Sequence, residues 1–480
     1  MNSLESIKAF TGFDSKLKVG DLQSDSRKVV PGDVFVAVRG QIQDGRKYID
    51  QSVEKGAAAV IYENSDGFRY EKDGIVSIGV SDLEQKLPAI ASVFYGEPSR
   101  KIGLIGITGT NGKSSTAYYV AQFFGYLGIK CGIVGTVGNG FVGDLRTSVN
   151  TTPGPVEIQR ELMRQIDSGA EYVAMEVSSH GIAQGRINGL TFSSTVFTNI
   201  SRDHLDFHKT FDAYFNVKKG FILANNGKSA VINSDDPVVF NGLMSEINQD
   251  TLITVGKTGK FRITDIKAEK KGTSFRLKTE HGENTVVVPL IGAFNVYNAV
   301  EAYAAVCASL KISDDRLIGA FSSLIPLKGR MEMFHAESHP LCLVDYAHTP
   351  DGVEKALAGA REHTAGRLIC VVGCGGDRDT GKRPMMATAA SALSDYLILT
   401  DDNPRTEDPE VIIRDMLKGN INCGYEIIHD RESAIRKAVS LATPSDTVIV
   451  AGKGHEDYQI IGTEKRHFSD QDVLRNILGI

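Results

Sequence analysis

From residue 330 onward, short apolar runs alternate with segments of helical spacing. The runs have the length and composition of buried strands and follow in the order LCLVDY, LICVVG, YLILT, YEIIHD and TVIVAG. The first helical segment can be capped by Thr349, suits Pro350 at its first position, and has an apolar stripe of Val353, Ala356, Leu357 and Ala360. Strands that alternate with helices in this way predict a doubly wound parallel sheet.

A strand, a glycine-rich turn and a helix are predicted between residues 101 and 128. The strand is the apolar run KIGLIGIT, the turn is GTNGKSS, and the helix has an apolar face of Ala117, Val120, Ala121, Phe124 and Leu127. The strand-like runs YVAMEVSS and STVFTNIS follow, and then a helix-prone run. This succession is typical of an α/β unit with a mostly parallel sheet.

The first 99 residues mix turns with three strand-like runs, DVFVAVRG, AAAVIYE and GIVSIGV, and GEPSR at 96–100 has the composition of a linker. A length of 480 residues suggests several domains. We therefore predict an α/β protein with a small N-terminal α/β domain (1–99), a central domain of the P-loop ATPase type (100–329) and a C-terminal Rossmann-like doubly wound domain (330–480).

Composition narrows the function classes. With 41% hydrophobic and 23% charged residues, the chain is typical of a globular protein in water. Its net charge of −6 argues against nucleic acid or an anionic membrane as the main partner. The cysteines are scattered, and we find neither a secretory signal nor an apolar run long enough to cross a membrane. We predict a cytoplasmic protein.

The turn Gly109-Thr-Asn-Gly-Lys113-Ser114-Ser115 predicts a phosphate site. Its backbone N–H groups and the following helix N-terminus can cradle phosphates, Lys113 can reach the terminal phosphates, and Ser114 or Ser115 can offer a hydroxyl to Mg²⁺. Ile107 stands where the general P-loop pattern has its first glycine. That difference argues against the GTPase and kinase branches. The alternative is a plain glycine turn with an exposed lysine.

Two further segments of the central region can carry metal chemistry. Glu176 and His204 each follow an apolar run, so they could hold Mg²⁺ near the phosphates, or they could belong to polar surface turns. Lys218 and Lys219 form a basic pair in a helical segment, for which an exposed position is the ordinary interpretation.

Polar clusters in the last region each follow a predicted strand. They begin at Asp345, Gly373, Asp401 and Gly452. Ligands of open α/β sheets bind at the carboxyl ends of the strands, so four such clusters favour a binding site over four independent turns. The Gly373 cluster lacks the third glycine of a dinucleotide fingerprint, and the chain has no Gly-x-Ser-x-Gly motif, which disfavours a dehydrogenase and a serine hydrolase.

Taken together, these residues resemble the Mur ligase family over nearly the whole chain. GTNGKSS is similar to the ATP loop of that family, including the missing first glycine. Nine further motifs stand in the family's order: NTTP (150–153), MEVSSHG (175–181), SRDHLDFH (201–208), FNVYNA (294–299), KGRME (328–332), DYAHTP (345–350), GCGGDRD (373–379), DDNPR (401–405) and GKGHEDYQ (452–459).

The resemblance implies an ATP-dependent, ADP-forming amide ligase of cytoplasmic peptidoglycan precursor synthesis. ATP would phosphorylate a carboxylate of UDP-N-acetylmuramoyl-L-alanyl-D-glutamate, and the amine of meso-diaminopimelate would displace the phosphate. The family works on small molecules, without nucleic acid or membrane, and we expect a monomer. It also implies roles in cell-wall biogenesis, cell shape and cell division.

The resemblance also assigns residues to ATP, to Mg²⁺ and to chemistry. Lys113, Glu176, His204 and Lys218 would be catalytic, and Lys218 would be carbamylated, which turns a cation into a metal-binding anion. The metal ligands would be Ser114, Glu176, His204 and Lys218. The nucleotide-binding residues would be Gly109, Thr110, Asn111, Gly112, Lys113, Ser114, Ser115, Asn298, Arg330, Asp345 and His348.

Two further sets are assigned to the other substrates. For the UDP-sugar dipeptide they are Ser26, Gln41, Asn150, Thr151, Thr152, Ser178, Gln184 and Arg186. For diaminopimelate they are Arg383, Asp402, Asn403, Pro404, Arg405, Gly452 and Glu456. Diaminopimelate has a second carboxylate that lysine lacks, and the guanidinium of Arg405 suits a bidentate bond to it.

Three alternatives remain open at this point. The same ligase could add L-lysine. Another Mur enzyme or a folylpolyglutamate synthetase would share the ATP loop, although SDSR (24–27), DNPR (402–405) and GHEDYQ (454–459) favour the enzyme that adds the third residue of the stem peptide. A P-loop regulatory NTPase would use the same loop but would not need the polar clusters of the last region.

Overall fold

The computed structural model describes residues 2–40, 43–269, 271–312 and 317–480, so the predicted site residue Gln41 lies outside the described residues. The protein has the predicted α/β architecture. The chain forms two compact units, the first made of residues 1–254 and 301–312 and the second of residues 255–300 and 313–480. The domain boundaries near residues 99 and 329 stay predictions.

The first unit starts with a small parallel sheet. Its strands, in spatial order, are β3 (Leu22–Gln23), β4 (Val34–Ala37), β5 (Ala59–Glu63) and β6 (Val76–Val80), after a short antiparallel pair of β1 (Asn2–Ser3) and β2 (Lys18–Val19). The helices are α1 (Lys8–Thr11), α2 (Ile49–Glu54) and α3 (Leu83–Phe94). The three predicted strand runs are confirmed as β4, β5 and β6. Successive residues of β4 and β5 belong to different core clusters, so both faces of this sheet are buried.

A larger sheet forms the centre of the first unit. Its elements are β7 (Gly103–Thr108), α4 (Lys113–Tyr126), β8 (Cys131–Gly135), β9 (Gly138–Phe141), β10 (Asp144–Arg146), α5 (Pro155–Asp167), β11 (Tyr172–Glu176), α6 (Ser179–Ala183), β12 (Ser194–Phe197), α7 (Leu205–His208), α8 (Phe211–Ala224), β13 (Ser229–Asn233), α9 (Pro237–Leu243) and β14 (Leu252–Gly256). The spatial order is β10-β9-β8-β11-β7-β12-β13-β14. Strands β8, β11, β7, β12 and β13 run parallel, as predicted, while β9 and β10 are antiparallel.

Helix α4 was predicted to have one apolar face, and the structure differs from that prediction. Phe124 stacks on Tyr172 at 4.2 Å between ring centroids, whereas Phe123 meets Tyr303 edge-on at 5.6 Å. Tyr119 is fully buried as well. The helix is therefore covered on more than one side, and Leu127 follows its last residue with partial exposure.

The second unit begins with an antiparallel meander. It consists of β15 (Phe261–Glu269), β16 (Gly272–Thr279) and β17 (Gly282–Val288), and α10 (Ala293–Leu310) follows. The residues of α10 from Glu301 onward belong to the first unit.

The remaining elements of the second unit build the predicted doubly wound domain. They are β18 (Glu332–Phe334), β19 (Leu341–Asp345), α11 (Pro350–Glu362), β20 (Leu368–Val372), α12 (Lys382–Leu393), β21 (Tyr396–Leu399), α13 (Pro409–Met416), β22 (Gly424–Ile427), α14 (Arg431–Leu441), β23 (Thr447–Ala451), β24 (Tyr458–Ile461), β25 (Glu464–His467) and α15 (Asp470–Leu478). The spatial order is β18-β19-β23-β20-β21-β22. Helices α11, α12 and α13 cover one face, and α14 and α15 cover the other.

Several details of the second unit match or extend the predictions. Thr349 caps α11 by accepting a hydrogen bond from the Gly352 N–H, and the four predicted stripe residues are buried. The antiparallel edge strand β18 and the β24–β25 hairpin were not predicted. In the first unit, the GEPSR segment contains a short helical turn with Pro98 and Ser99 buried, so it is not an exposed linker. No helix within the described ranges is long and apolar enough to cross a membrane.

Candidate active site

The glycine-rich loop lies between β7 and α4 and is fastened to the segment after β12. The N–H of Thr110 donates to the carbonyl of Asn199 at 2.9 Å, and the N–H of Asn111 donates to the side-chain oxygen of Asn199 at 3.1 Å. Gly109 has φ +149°, and a Cβ there would lie 2.0 Å from Oγ1 of Thr198. Gly112 has φ +85°, in the left-handed region. Both glycines are therefore required by this loop shape.

Lys113 and Ser114 occupy the first positions of α4. The ammonium of Lys113 donates to the carbonyls of Gly109 at 2.9 Å and Thr110 at 2.8 Å, so it lies over the loop. The hydroxyl of Ser114 donates to Oε2 of Glu176 at 2.8 Å, while Ser115 is buried. The helix N-terminus, the loop amides and the lysine thus stand together, as phosphate binding requires.

Glu176 is fully buried at the end of β11. Besides Ser114, it accepts hydrogen bonds from the Thr136 N–H at 2.7 Å and from the Thr136 hydroxyl at 3.2 Å. These donors are all neutral. A methyl group at Gly135, the last residue of β8, would lie 2.2 Å from Oε1 of Glu176, so this position has no room for a side chain. Thr136 is a site residue that the sequence analysis did not find.

The two lysines of α8 have opposite environments. Lys218 is 1% exposed, and its ammonium donates to the Gly109 carbonyl at 2.8 Å and to Oγ1 of Thr108 at 3.3 Å. Burial, with a smaller effect of the Lys113 charge, holds the pKa of Lys218 well below its ordinary value. Lys219 instead pairs with Glu246 on the protein surface at 2.5 Å. The structure therefore brings Lys218, and not Lys219, to the loop.

His204 lies at the N-terminus of α7 with φ +52° and a partly exposed ring. Its ring centroid is 4.9 Å from that of His180. Partial burial lowers the pKa of His204, although the nearby Asp203 carboxylate acts in the opposite direction. The neutral imidazole, which is the form in which histidine binds metals, is therefore favoured.

The predicted Mg²⁺ ligands are only partly assembled. Among the described residues, no group of three or more His, Cys, Asp and Glu side chains is placed to hold a metal ion. Ser114 and Glu176 are in direct contact. Their oxygens are the hard donors that Mg²⁺ prefers, so this pair fits the ion.

Residues predicted for the UDP-sugar dipeptide cluster at the end of β11. The hydroxyl of Thr152 donates to the carbonyl of Glu176 at 2.9 Å and accepts from the Ser178 N–H at 2.9 Å. Arg186 donates to the Thr152 carbonyl at 2.7 Å and also bonds Gln184.

The other three described residues of that set have separate surroundings. Thr151 accepts from the Thr136 hydroxyl at 2.9 Å, and Asn150 is exposed. Ser26 lies in the N-terminal part of the first unit, where its hydroxyl donates to Gln51 at 3.1 Å. The structure does not bring Ser26 into contact with the Thr152 cluster.

In the second unit, the predicted nucleotide residues gather around Tyr346. Asp345 accepts hydrogen bonds from the N–H groups of Met331 and Ala347, both at 2.8 Å, and burial raises its pKa. The Arg330 guanidinium lies 4.6 Å from the ring centroid of Tyr346, and the ring of His348 is 4.6 Å from the same ring. Separately, Asn298 donates to Asn295 within α10 at 3.3 Å.

The four polar clusters of the last region meet at one edge of the sheet. Strand β23 pairs in parallel with β19 on one side and with β20 on the other, and β20 pairs with β21. In this register Asp345 and Val372 both lie opposite Ala451. The clusters that begin at Asp345, Gly373, Asp401 and Gly452 are therefore neighbours, as predicted.

Asn403 and Glu456 are hydrogen-bonded to each other. The amide of Asn403 donates to Oε2 of Glu456 at 3.0 Å. Asp402 is buried beside Gly452, which has φ +115°, and a Cβ at Gly452 would lie 2.7 Å from Oδ2 of Asp402. Pro404 is buried. These residues thus form one compact group of acids and amides.

Arg405 is held by its backbone. Its φ is +55°, its N–H donates to the Ile460 carbonyl at 3.0 Å, and its carbonyl accepts from the Gly462 N–H at 2.6 Å. The β24–β25 hairpin therefore fixes the loop conformation. The partly exposed guanidinium donates to the carbonyl of Gly376 at 2.7 Å.

Arg383 has a different placement from the predicted contact with diaminopimelate. Its side chain is 0% exposed and donates to Glu407 at 2.7 and 2.6 Å and to Asp415 at 2.9 Å. A fully buried guanidinium with both terminal nitrogens bound to carboxylates of the protein supports the loop and does not face a ligand. The prediction of direct contact is therefore corrected for Arg383.

Arg378 is the exposed arginine of the same segment. A methyl group at Gly375 would lie 2.8 Å from Nη1 of Arg405 and 3.8 Å from Cγ of Arg378, so the two side chains flank that glycine. The motif GDRDTGKR contains Arg378 and Arg383, and its sequence alone does not show that the first is exposed and the second is buried.

Comparisons with known proteins find three family matches along the chain. Residues 19–95 match the Mur ligase catalytic domain family, residues 107–306 the Mur ligase middle domain, and residues 329–454 the Mur ligase glutamate ligase domain. The chain is 43% identical to UDP-N-acetylmuramoyl-L-alanyl-D-glutamate–2,6-diaminopimelate ligases of Chromobacterium violaceum and Vibrio parahaemolyticus, over 96% of its length and 94% and 95% of theirs. A solved structure of a ligase of that name has 32% identity and a TM-score of 0.71, over 100% of this chain and 99% of that one.

Proposed function

This chain belongs to the Mur ligase family, and from that premise we propose that it joins meso-diaminopimelate to UDP-N-acetylmuramoyl-L-alanyl-D-glutamate, with conversion of ATP to ADP and phosphate. The observation that carries the choice of amino acid is the partly exposed guanidinium of Arg405 beside the Asn403–Glu456 pair. We assign this activity to cytoplasmic peptidoglycan precursor synthesis by a monomer, without nucleic acid or membrane as partners.

The proposed reaction has two steps. The terminal phosphoryl group of ATP passes to the free carboxylate of the dipeptide, which gives an acyl phosphate and ADP. The amine of the amino acid then attacks the acyl carbon, phosphate leaves, the amine loses a proton, and the amide forms. The protein contributes mainly by positioning the substrates and by neutralising phosphoryl charge. Lys113 and the loop amides have the charge and the placement for the first step.

Mg²⁺ fits the donors at the end of β11. Ser114 and Glu176 would hold it, with His204 as a neutral nitrogen ligand. When bound, the ion would offset the negative charge of the phosphates. Asn298, Arg330, Asp345 and His348 remain proposed nucleotide contacts of the second unit.

Lys218 has the properties of a carbamylation site. Carbamate formation needs the neutral amine, whose nitrogen attacks the carbon of CO₂ and then loses a proton, and the pKa of Lys218 is held well below its ordinary value. The product would be an anion next to the loop, where a metal ligand is needed. Burial of Lys218 as a permanent ammonium would cost more free energy than burial of a carbamate that is paired with a metal ion.

We assign recognition of the UDP-sugar dipeptide to the Thr152 cluster. Thr152, Ser178, Gln184 and Arg186 are joined by hydrogen bonds, and Thr152 also bonds the carbonyl of Glu176 at the end of β11. Thr151 and Asn150 precede this cluster in the chain, and Ser26 belongs to the same proposed set. These residues would set the position of the dipeptide carboxylate relative to the loop.

Selection of diaminopimelate over lysine follows from charge. The far end of diaminopimelate carries a carboxylate beside its amine, and Arg405 can bind that carboxylate through a bidentate, charge-assisted pair. Lysine would leave the guanidinium unpaired and place a second cation near it, which costs on the order of 2–3 kcal/mol. Arg378, which flanks Gly375 with Arg405, is available to the same carboxylate.

An amide-formation assay tests this function. We expect coupling of meso-diaminopimelate with a kcat/KM at least about a hundredfold above that for L-lysine, since lysine would leave the Arg405 guanidinium without an anionic partner. Arg405→Ala should raise the KM for diaminopimelate far more than the KM for ATP. The matched control is Arg436→Ala, since Arg436 is an exposed arginine of α14 whose ionic partner among the described residues is Glu432 of the same helix. Equal use of lysine and diaminopimelate by the wild type would refute the proposed amino acid.

A further inference from the structure

Lys453 is a fully buried lysine in the turn after β23. It lies between Gly452 and Gly454, which have φ +115° and +53°. A Cβ at Gly454 would lie 2.5 Å from Cβ of Tyr346, and one at Gly452 would lie 2.7 Å from Oδ2 of Asp402. Both neighbours are therefore glycines by necessity, and the turn that they allow directs the lysine side chain inward.

The ammonium of Lys453 joins the two residues assigned to the amino acid. It donates to Oδ1 of Asn403 at 3.2 Å and to Oε2 of Glu456 at 3.1 Å. Asn403 closes the triangle, because its amide nitrogen donates to the same Oε2 at 3.0 Å. The Ile460 N–H also donates to Oδ1 of Asn403, at 2.9 Å. The orientation of the Asn403 amide and that of the Glu456 carboxylate are thus fixed together.

This triangle leaves one oxygen of Glu456 open. Oε2 accepts two hydrogen bonds, whereas within the described residues none is donated to Oε1. The Glu456 side chain is 17% exposed and that of Lys453 is 0% exposed. The free oxygen is therefore the one that an incoming cation can reach, while the lysine itself cannot touch a ligand.

Burial of an ammonium group is costly unless a charged partner and further hydrogen bonds compensate it. A neutral side chain could fill the same space at a lower cost. The charge of Lys453 therefore calls for a role beyond packing. Its ionic partner is a carboxylate that the ligand also needs.

We propose that Lys453 is a positioning residue for amino-acid binding, a role that rests on the proposed function. Lys453 holds the Asn403 amide and the Glu456 carboxylate in one orientation, so that Oε1 of Glu456 receives an ammonium group of the amino acid. The lysine acts through Glu456 and makes no contact with substrate. Asn403 and Glu456 lie in loops that follow different strands, and Lys453 fixes the positions of their polar groups relative to each other.

The experiment is a set of steady-state measurements on Lys453→Met, Glu456→Gln and the double variant. Lys453→Met should raise the KM for diaminopimelate about tenfold or more, while the KM for ATP changes less than about twofold, since only the amino-acid site loses a charged hydrogen bond. Glu456→Gln should also raise the KM for diaminopimelate. If the lysine acts through that carboxylate, adding Lys453→Met to Glu456→Gln should raise it no further.

Lys437→Met is the matched control, because Lys437 is a partly exposed lysine of α14 whose ammonium lies 3.9 Å from the Glu426 carboxylate. This variant should keep the wild-type KM for every substrate. An unchanged KM for diaminopimelate in folded Lys453→Met, or increases that simply multiply in the double variant, would overturn the positioning role. A wild-type protein that couples no diaminopimelate would instead overturn the proposed function.

Thermal unfolding of each variant separates folding from binding. Lys453→Met leaves Glu456 without its cation and could fail to fold. The double variant removes both charges, which proteins tolerate better than one unpaired charge. If Lys453→Met does not fold but the double variant and Glu456→Gln do, these two variants should have the same KM for diaminopimelate. A higher KM, or a double variant that does not fold, would show that Lys453 is a structural residue of the domain.

Discussion

Individual residues of this site are distinguished by burial and not by chemical type. Lys218 and Lys219 have identical side chains and adjacent positions, yet the first donates to the Gly109 carbonyl and the second pairs with Glu246 on the surface. Only the buried amine has its pKa pulled well below the ordinary value. Of the two lysines, Lys218 therefore has the larger share of the neutral amine, which is the form that carbamate formation requires.

Replacement of Lys218 tests its role as a carbamate. We expect Lys218→Ala to lower kcat by about tenfold to a hundredfold, the usual cost of losing a group that supports a metal site. A short carboxylate such as formate or acetate should restore part of the rate, because it can supply the missing anion in the space left by the side chain. Lys219→Ala is the control and should keep its activity. If that control is the inactive variant, the assignment of Lys218 is wrong.

The arginines of the second unit show the limit of sequence interpretation at this scale. Arg378 and Arg383 stand in one motif and have the same chemistry. Arg383 is buried because Glu407 and Asp415, which come 24 and 32 residues later in the chain, reach it in the folded state. Local sequence contains no information on such partners. A motif can therefore indicate the site while leaving open which of its members contacts the ligand.

The secondary-structure elements were more predictable than individual contacts. Strands β19, β20, β21 and β23 are short apolar runs between helices, so pattern and propensity agree. Strands β18 and β25 are short, and β25 is exposed throughout with the sequence Glu-Lys-Arg-His. Their formation depends on pairing with a neighbouring strand and not on an apolar pattern of their own. Such elements leave little signal in the sequence.

His363 connects the end of α11 to the meander of the second unit. Its Nε2 accepts from the Gly292 N–H at 3.2 Å, and its Nδ1 lies 3.2 Å from the carbonyl of Glu269, so the neutral ring serves both. Burial lowers the pKa of His363 below its ordinary value of 6.5. The neutral form is favoured in the folded state. The contribution of His363 to the free energy of unfolding is therefore complete above about pH 6.5 and is lost as the pH falls further.

His363→Gln tests this connection. At pH 7.5 the substitution should lower the free energy of unfolding by about 1 kcal/mol, the usual value of such hydrogen bonds. The difference from the wild type should shrink between pH 7.5 and pH 5, because protonation of His363 removes the same acceptor in the wild type. Urea denaturation at several pH values measures it. A difference that stays constant or grows with acidity would contradict the neutral, accepting ring.

At the scale of the whole molecule, the proposed functional groups are divided between two units. Lys113, Glu176 and Lys218 belong to the first unit, and Asn403 and Arg405 belong to the second. The domain matches lie in both parts of the chain, and the relatives are ligases of similar length, so the proposed ligase would use both sets. A P-loop regulatory NTPase would need only the first set.

Release of phosphate from ATP distinguishes these two kinds of protein. In the proposed ligase it should require both the UDP-sugar dipeptide and diaminopimelate, and omission of either should lower the steady rate to less than about a tenth, because the first step lacks its acceptor or the second its nucleophile. A coupled phosphate assay measures the rate. Equal release from ATP alone would indicate a regulatory NTPase. The control is ADP, which should give no phosphate.

Two backbone hydrogen bonds between Arg405 and the β24–β25 hairpin limit how the proposed amino-acid preference can change. The backbone of Arg405 is held on both sides by residues 460 and 462, which come more than fifty positions later in the chain. Transfer of DDNPR alone into a ligase that adds lysine would supply the five residues but not the hairpin that fixes their backbone conformation and presents the guanidinium. Engineers who wish to exchange the selectivity of such enzymes should therefore swap residues 401–405 and 458–467 as one cassette.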